Sequence, residues 1–342
     1  MNIIFRVDSS IKIGAGHLMR CLTLADEFKK INHKVTFICR SLDGNLISLI
    51  KYPILTLPKD CNFHSNDFYQ NWLGSTQEED AKKTLEVIPN ETDLLIVDSY
   101  ALDENWHKKL KPYTKKIMVI DDLADRILDC DILLNQNLGV KKIDYKNKIP
   151  KNCHLILGSQ YALLRPEFLD LRSQALEKRI HTKVIKNILI SVGGGDDANH
   201  LTYNILKNID NSFNTKVVCD ISSPHNQRIE KYAENKNITV IFRSNNMAKL
   251  MLNADLAIGA GGSSSWERCC LGLPTLLFVT ADNQIKISKN LEKLNAVKIV
   301  GNLKQDLEFI LNNFSFWRKM SYQAKNICDG LGAKKVVNLC LF

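Results

Sequence analysis

Arg6-Val7-Asp8-Ser9-Ser10-Ile11-Lys12-Ile13-Gly14-Ala15-Gly16-His17-Leu18-Met19-Arg20 is the stretch on which the fold turns. Residues 2–7 form a short apolar run that reads as a buried parallel strand. From His17 to about residue 31 the period becomes helical, with Leu18, Cys21, Leu22, Ala25 and Phe28 on one face. Gly14 and Gly16 lie between, where the chain turns sharply and lets a ligand come close to the backbone. His17 thus sits at the mouth of a strand–turn–helix unit. Free N–H groups and the positive dipole end favour anions there and disfavour an imidazolium. A neutral imidazole beside an anion site suits a general base. The same placement suits a histidine that only caps a turn, and position alone leaves both readings open.

A length of 342 residues suggests two domains of ordinary size, each able to bury its own core. Hydrophobic content of 45% with 24% charged residues describes a globular chain that stays in water. The net charge of +9 is spread without a dense Lys/Arg block and interleaved aromatics, so a nucleic-acid groove is not expected. A mildly basic surface suits a small anionic substrate. The ten cysteines are scattered, with no C-x-x-C, no HExxH and no Cys/His ladder, so no metal and no cofactor is expected. They read as small core residues of a reduced, cytoplasmic protein. A first strand starting at Asn2 leaves no room for a signal peptide, and no apolar run approaches about 18–20 residues.

Along the chain, apolar runs at 3–7, 35–39, 94–97, 117–120, 132–134 and 154–157 alternate with helical stretches such as 79–87 and 104–110. This pattern predicts a doubly wound parallel sheet with ligands at the carboxyl ends of its strands. A second series, at 187–192, 216–219, 239–242, 256–258, 275–279 and 297–299, restarts the alternation. The fold class expected is α/β, with two Rossmann-like domains, 1–163 and 164–342, and a cleft between them as the natural ligand site. The last helix, expected near 314–327, is read as a candidate to return to the first domain.

Three further places carry polar residues at strand ends. Val192-Gly193-Gly194-Gly195-Asp196-Asp197 has neither the dinucleotide spacing nor a Gly-Lys-Ser/Thr, and its aspartates fit a helix N-cap as well as a ligand contact. Gly259-Ala260-Gly261-Gly262-Ser263-Ser264-Ser265-Trp266-Glu267-Arg268 is more informative. Its glycines allow close approach, and Ser hydroxyls with helix N–H groups can donate to phosphate oxygens. Glu267, one turn on, suits a ribose diol, and the same stretch also reads as a glycine-rich loop with a Ser N-cap and a solvated Glu. Asp98-Ser99-Tyr100 and Asp121-Asp122 follow apolar strands, where the aspartates fit helix caps and Tyr100 fits a ligand.

Taken together, these residues carry a resemblance. The chain resembles the UDP-sugar hydrolase family of pseudaminic acid biosynthesis, which acts on UDP-2,4-diacetamido-2,4,6-trideoxy-β-L-altropyranose. The likeness runs nearly end to end. It rests on residues 6–10 with Gly14-Ala15-Gly16-His17 and Arg20, on Trp72-Leu73-Gly74, Asp98, Tyr100, Ile120-Asp121-Asp122-Leu123-Ala124-Asp125-Arg126 and Tyr161-Ala162-Leu163-Leu164-Arg165-Pro166-Glu167-Phe168. It continues through Gly193-Gly194, Gly261-Gly262-Ser263, Ser265-Trp266-Glu267-Arg268, Leu271-Gly272-Leu273-Pro274 and Ala281-Asp282-Asn283-Gln284. The chain departs from the family pattern at Ser99, Ala101, Leu128, Asn135 and Gly195, where His, Gly, His, Asp and Thr are usual.

The resemblance implies the two-domain GT-B fold shared with MurG-type glycosyltransferases. It implies His17 as the base for water and Tyr100 on the sugar side. Asp8, Gly14, Gly16 and Arg20 would contact substrate. Gly193, Gly194, Gly261, Gly262, Ser263, Ser264 and Ser265 would hold the diphosphate, Glu267 the ribose, and Asn283 and Gln284 would face the cleft. The implied partners are a UDP-sugar and water, with no nucleic acid, membrane, metal or cofactor. Two other readings stay open, a glycosyltransferase using the same donor and a nucleotide-sugar-binding module without chemistry.

Overall fold

The computed structural model describes residues 1–60, 63–193, 200–221, 223–242 and 244–341. The chain divides into two compact units, Met1–Leu163 with Gly332–Phe342, and Leu164–Leu331.

The first unit holds seven parallel strands: β1 (Asn2–Val7), β2 (Lys34–Arg40), β3 (Ile54–Leu57), β4 (Thr92–Asp98), β5 (Thr114–Ile120), β6 (Ile132–Asn135) and β7 (His154–Leu157). They lie in the order β3-β2-β1-β4-β5-β6-β7. The order reverses between β1 and β4, where Val7 pairs with Asp98. Alternate residues of β1 feed opposite cores, Ile3, Phe5 and Val7 on one face and Ile4 on the other. Edge strand β3 is absent from the sequence-based expectation. Pro53 and Pro58 flank its four residues, and proline is tolerated at a sheet edge where no ladder hydrogen bond is lost.

The second unit holds β8 (Asn187–Ser191), β9 (Asn214–Cys219), β10 (Ile238–Phe242), β11 (Leu256–Ala260), β12 (Thr275–Phe278) and β13 (Lys298–Ile299). These pair in parallel in the order β10-β9-β8-β11-β12-β13, reversing between β8 and β11. Among the described residues, no helix is long and apolar enough to cross a membrane.

The returning helix is not the one expected. Phe314–Lys325 stays in the second unit, where Trp317 is fully buried and its Nε1 donates to Asp255 O at 2.9 Å. Gly332–Cys340 instead packs on the helix Gly16–Lys30 of the first unit. Its Ala333, Val336, Val337 and Cys340 recur at helical spacing and join the core around Phe5 and Phe28. Gly332 is required at its start, since a Cβ there would stand 2.2 Å from Ala162 O.

Central strand β1 carries a buried charge. Arg6 is fully buried, with Nε and the terminal nitrogen donating to Asp80 at 3.2 and 2.5 Å and an ion pair to Asp8 at 2.6 Å. Arg40 of β2 and Trp106 Nε1 also donate to Asp80, at 2.6 and 2.9 Å. Burial would push the Asp80 carboxyl up, but Arg6 and Arg40 hold it below the usual range. Asp80→Asn should therefore cost about 3–5 kcal/mol at neutral pH, by leaving two buried guanidinium groups short of their counter-charge. A carboxyl lowered on folding stabilises above its unfolded pKa and stops doing so as pH falls through the folded value. Urea titrations should show the deficit of the variant shrinking below about pH 4; a constant deficit would assign the loss to packing.

Candidate active site

The loop after β1 is built by its own hydrogen bonds. Gly14 N donates to Ser10 O at 2.8 Å, and Ile13 N donates to Ser10 Oγ at 3.0 Å. Gly14 has φ +76°, a left-handed conformation that glycine adopts without strain. Helix Gly16–Lys30 begins at once behind it, and its N-cap residue, Ala15, supplies no capping side chain. A Cβ at Gly16 would meet nothing within 4 Å, so the backbone before His17 lies open.

His17 does not cap the turn. Its Nδ1 stands 2.6 Å from Oδ1 of Asp98, at the end of β4. An ionised carboxylate only accepts, so Nδ1 carries the hydrogen, and in the neutral form of the ring the lone pair is on Nε2. Arg20, three residues further along the same helix face, donates to both Asp98 oxygens at 2.6 and 2.7 Å. Its remaining nitrogen reaches Asp122 at 2.6 Å. Tyr100 Oη donates to the same Asp122 oxygen at 2.6 Å, and its ring meets the His17 ring edge-on with centroids 4.7 Å apart. Behind Tyr100 lie the rings of Tyr69 and Trp72, at 5.4 and 6.1 Å.

The electrostatics follow from burial and pairing. Burial would raise the Asp98 carboxyl, yet Arg20 and His17 hold it well below the carboxylate range. Burial, with Asp122 adding to it, pushes the Tyr100 phenol well up, so it keeps its proton. A histidine oriented by a carboxylate, with Nε2 free, can accept a proton from water or a hydroxyl.

The aspartates are not helix caps. Asp98 and Asp122 serve His17, Arg20 and Tyr100, while helix Glu104–Leu110 is capped by Asp103. Asp121 accepts from Ala124 N, Arg126 and Tyr145 Oη, tying down the turn after β5. Asn135 donates to that Tyr145 Oη at 2.8 Å. Asp8 is 4% exposed; its Oδ1 accepts from Arg40 N at 2.6 Å. Asp8, Ile13, His17, Trp72, Asp98 and Tyr100 line one pocket. The aromatic wall and the Asp98 partnership escape sequence reasoning. The available signal was that carboxyl ends of strands flanking a switch point converge.

In the second unit, Gly261, Gly262 and Ser263 follow β11 and lead into helix Ser264–Cys270. Gly261 N is engaged by Phe278 O at 3.1 Å and Gln284 Oε1 at 3.2 Å. Gln284 Oε1 also accepts from Thr280, so this side chain braces the loop, while Asn283 is exposed. Beneath the turn lies Arg268, 2% exposed, donating to Ala260 O at 2.6 Å and to Ser264 Oγ and Ser265 Oγ at 3.1 Å. Burial lowers this guanidinium to about 10. Its donation fills lone pairs on both hydroxyls and leaves their hydrogens available to an acceptor. Ser263 is exposed and Ser265 buried. Burial raises the Glu267 carboxyl, only partly offset by Arg165 and Arg268; Arg165 donates to it at 3.4 Å. Gly193, after β8, has φ +116°. Gly194, like Gly195, Asp196 and Asp197, lies outside the described residues.

Residues 187–310 match the glycosyltransferase family 28 C-terminal domain. A UDP-2,4-diacetamido-2,4,6-trideoxy-β-L-altropyranose hydrolase of Campylobacter jejuni is 31% identical over 265 residues, 77% of this chain and 86% of that one. The chain belongs to the family of that hydrolase. Among solved structures, Acinetobacter baumannii MurG is similar with a TM-score of 0.66 at 14% identity, over 99% of both chains. UDP-GlcNAc 2-epimerase from Neisseria meningitidis has a TM-score of 0.63 at 14% identity, over 100% of both chains. These likenesses are of fold, and the fold is GT-B.

The partnership of His17 with Asp98 predicts one tautomer. In ¹⁵N-histidine-labelled protein, His17 should show its ring hydrogen on Nδ1, and Asp98→Ala should return the ring to the mixed tautomers of a free imidazole. An Nε2–H signal in the unaltered protein would remove the basis for a proton-accepting Nε2.

Proposed function

We propose that this chain is a cytoplasmic hydrolase acting on UDP-2,4-diacetamido-2,4,6-trideoxy-β-L-altropyranose in pseudaminic acid biosynthesis. It breaks the bond between the anomeric carbon and oxygen, releasing UDP and the free sugar. The observation that carries this reading is the 2.6 Å contact of His17 Nδ1 with Asp98, which leaves Nε2 to accept a proton. Family membership supports the substrate class.

In this mechanism His17 Nε2 takes a proton from water as the water oxygen attacks the anomeric carbon. Asp98 holds the ring in the required tautomer and stabilises the imidazolium that forms, as Arg20 keeps Asp98 ionised. Tyr100 and Trp72 present ring surface to the sugar. In the second unit, Ser263, Ser264 and the backbone after β11 donate to the diphosphate, with Arg268 beneath them adding positive charge. Glu267 accepts from the ribose hydroxyls. A single displacement without a protein nucleophile inverts the anomeric centre.

The match of residues 187–310 to a glycosyltransferase domain favours one competing reading, transfer of the same sugar to an acceptor. UDP release from the donor in buffer alone separates them, since a transferase would need the acceptor for rapid turnover. In heavy-oxygen water the label should enter the free sugar and not UDP; labelled UDP, or UMP as product, would exclude anomeric cleavage. His17→Asn should lower kcat by roughly 10²–10⁴-fold with UDP affinity retained. Retention of most of the rate would take the base role from His17. Glu267→Ala should raise KM more than it lowers kcat, because a ribose contact is shared by ground and transition states. Calorimetry showing unchanged UDP affinity would remove Glu267 from the site.

A further inference from the structure

Cys130 and Cys153 stand at the base of one loop of the first unit. Cys130 comes just before β6 and Cys153 just before β7, whose pairing sets Ile132 beside His154. His154 N donates to Asp131 O at 2.8 Å, so the parallel pairing extends back to Asp131. Cys153 thus lies opposite Asp131, with Cys130 one residue off. Adjacent strands run about 4.8 Å apart and rise about 3.3 Å per residue, which separates the two Cα atoms by about 6 Å. A disulfide spans about 4.4–6.8 Å between Cα atoms. Both side chains pack in the core that holds Leu133 and Tyr145, and their sulfurs are 3.7 Å apart. Of the nine described cysteines, eight are buried; Cys153 alone is partly open, on a groove it lines with Ile143, Ile149 and Leu155. A hydrogen bond from Cys130 lowers the Cys153 thiol against the opposing effect of burial, and the same bond, with burial, raises Cys130. The thiolate is the reactive form, so the more open sulfur is also the better nucleophile.

We propose that Cys153 and Cys130 form a peroxide-reactive thiol pair, a modification site whose residues do not line the pocket of His17. It does not depend on the hydrolytic reading. The Cys153 thiolate sulfur attacks one oxygen of hydrogen peroxide, and the O–O bond breaks. The hydroxide that leaves takes up the proton Cys153 gave, forming water, and Cys153 becomes a sulfenic acid. The Cys130 sulfur then attacks the Cys153 sulfur, the S–O bond breaks, and the second hydroxide leaves as water with the Cys130 proton. Two electrons pass from the thiols to the peroxide, and the product is a disulfide. The loop this bond closes carries Asn137, which donates to Asp122 at 3.1 Å, and Tyr145, which donates to Asp121 at 2.6 Å. Fastening its base restricts the opened loop and so favours the closed one.

The test uses the full chain carrying Cys61→Ser, since Cys61 lies outside the described residues. Native protein treated with hydrogen peroxide and then alkylated should yield a peptide cross-linked between Cys130 and Cys153, which dithiothreitol releases. Cys270 and Cys328, 0% and 2% exposed, should stay reduced in the same sample. Amide exchange across residues 136–152 should slow by about tenfold or more once the cross-link forms. Cys130→Ala removes the resolving thiol, so Cys153 should remain a sulfenic acid that dimedone captures. Two thiols that merely pack together would give neither product. Free thiols at both positions after peroxide would overturn the proposal, as would a link from Cys153 to a second copy of the chain or preferential oxidation of Cys270 and Cys328. Dimedone on Cys153 without a cross-link, in protein that retains Cys130, would overturn the resolving role even if Cys130→Ala did not fold. A cross-link with unchanged exchange would overturn the fastening of the loop.

Discussion

Asp98 is a carboxylate buried at the end of a central strand, and such a group must be paired or it destabilises the fold by several kcal/mol. The first unit meets that demand from one helix. Val7 pairs with Asp98 across the two central strands, so the helix that follows β1 starts beside the carboxylate. His17 and Arg20, three residues apart, then face it from the same side of the helix. The pairing that neutralises Asp98 is also the pairing that orients the imidazole. Stability and the candidate chemistry thus share one contact.

Strand β1 is charged at its other partners as well. Arg6 is drawn to Asp80, whose carboxylate also receives Arg40 and Trp106. Asp8 stands where this network meets the site. Its Oδ1 belongs to Arg6 and Arg40. A rigid ion cluster behind a reactive position holds it without borrowing groups from the reaction, which is how a preorganised site keeps its geometry.

The second unit uses the same topology with opposite charge. Its glycine turn also follows the strand at the reversal of order, but the buried group beneath it is a cation, Arg268. Among the described residues no salt bridge to a carboxylate within 4.0 Å satisfies Arg268; carbonyl and hydroxyl oxygens do. A guanidinium held in that way lends positive potential to the turn above it, a property that a serine- and glycine-rich sequence alone does not carry.

Much of this was legible in the residues. Short apolar runs alternating with 3.6-residue periods specify parallel α/β units, because strands buried on both faces cannot tolerate a polar repeat. The turn through Gly14 and Gly16 announces a strand-to-helix junction, and His17 stands out within it. Other features depended on contacts distant in sequence. Asp98 and Asp122 look like helix caps until β4 and β5 are laid beside β1, since a capping aspartate and a histidine-orienting one have the same local sequence. The return of helix Gly332–Cys340 rather than Phe314–Lys325 was decided by which apolar stripe the core of the first unit could accept. Gln284 likewise turns inward to brace Gly261 because two loops converge there. Local sequence determines period, turn and propensity; the partner of a buried charge is chosen by the packing of strands that are close only in three dimensions.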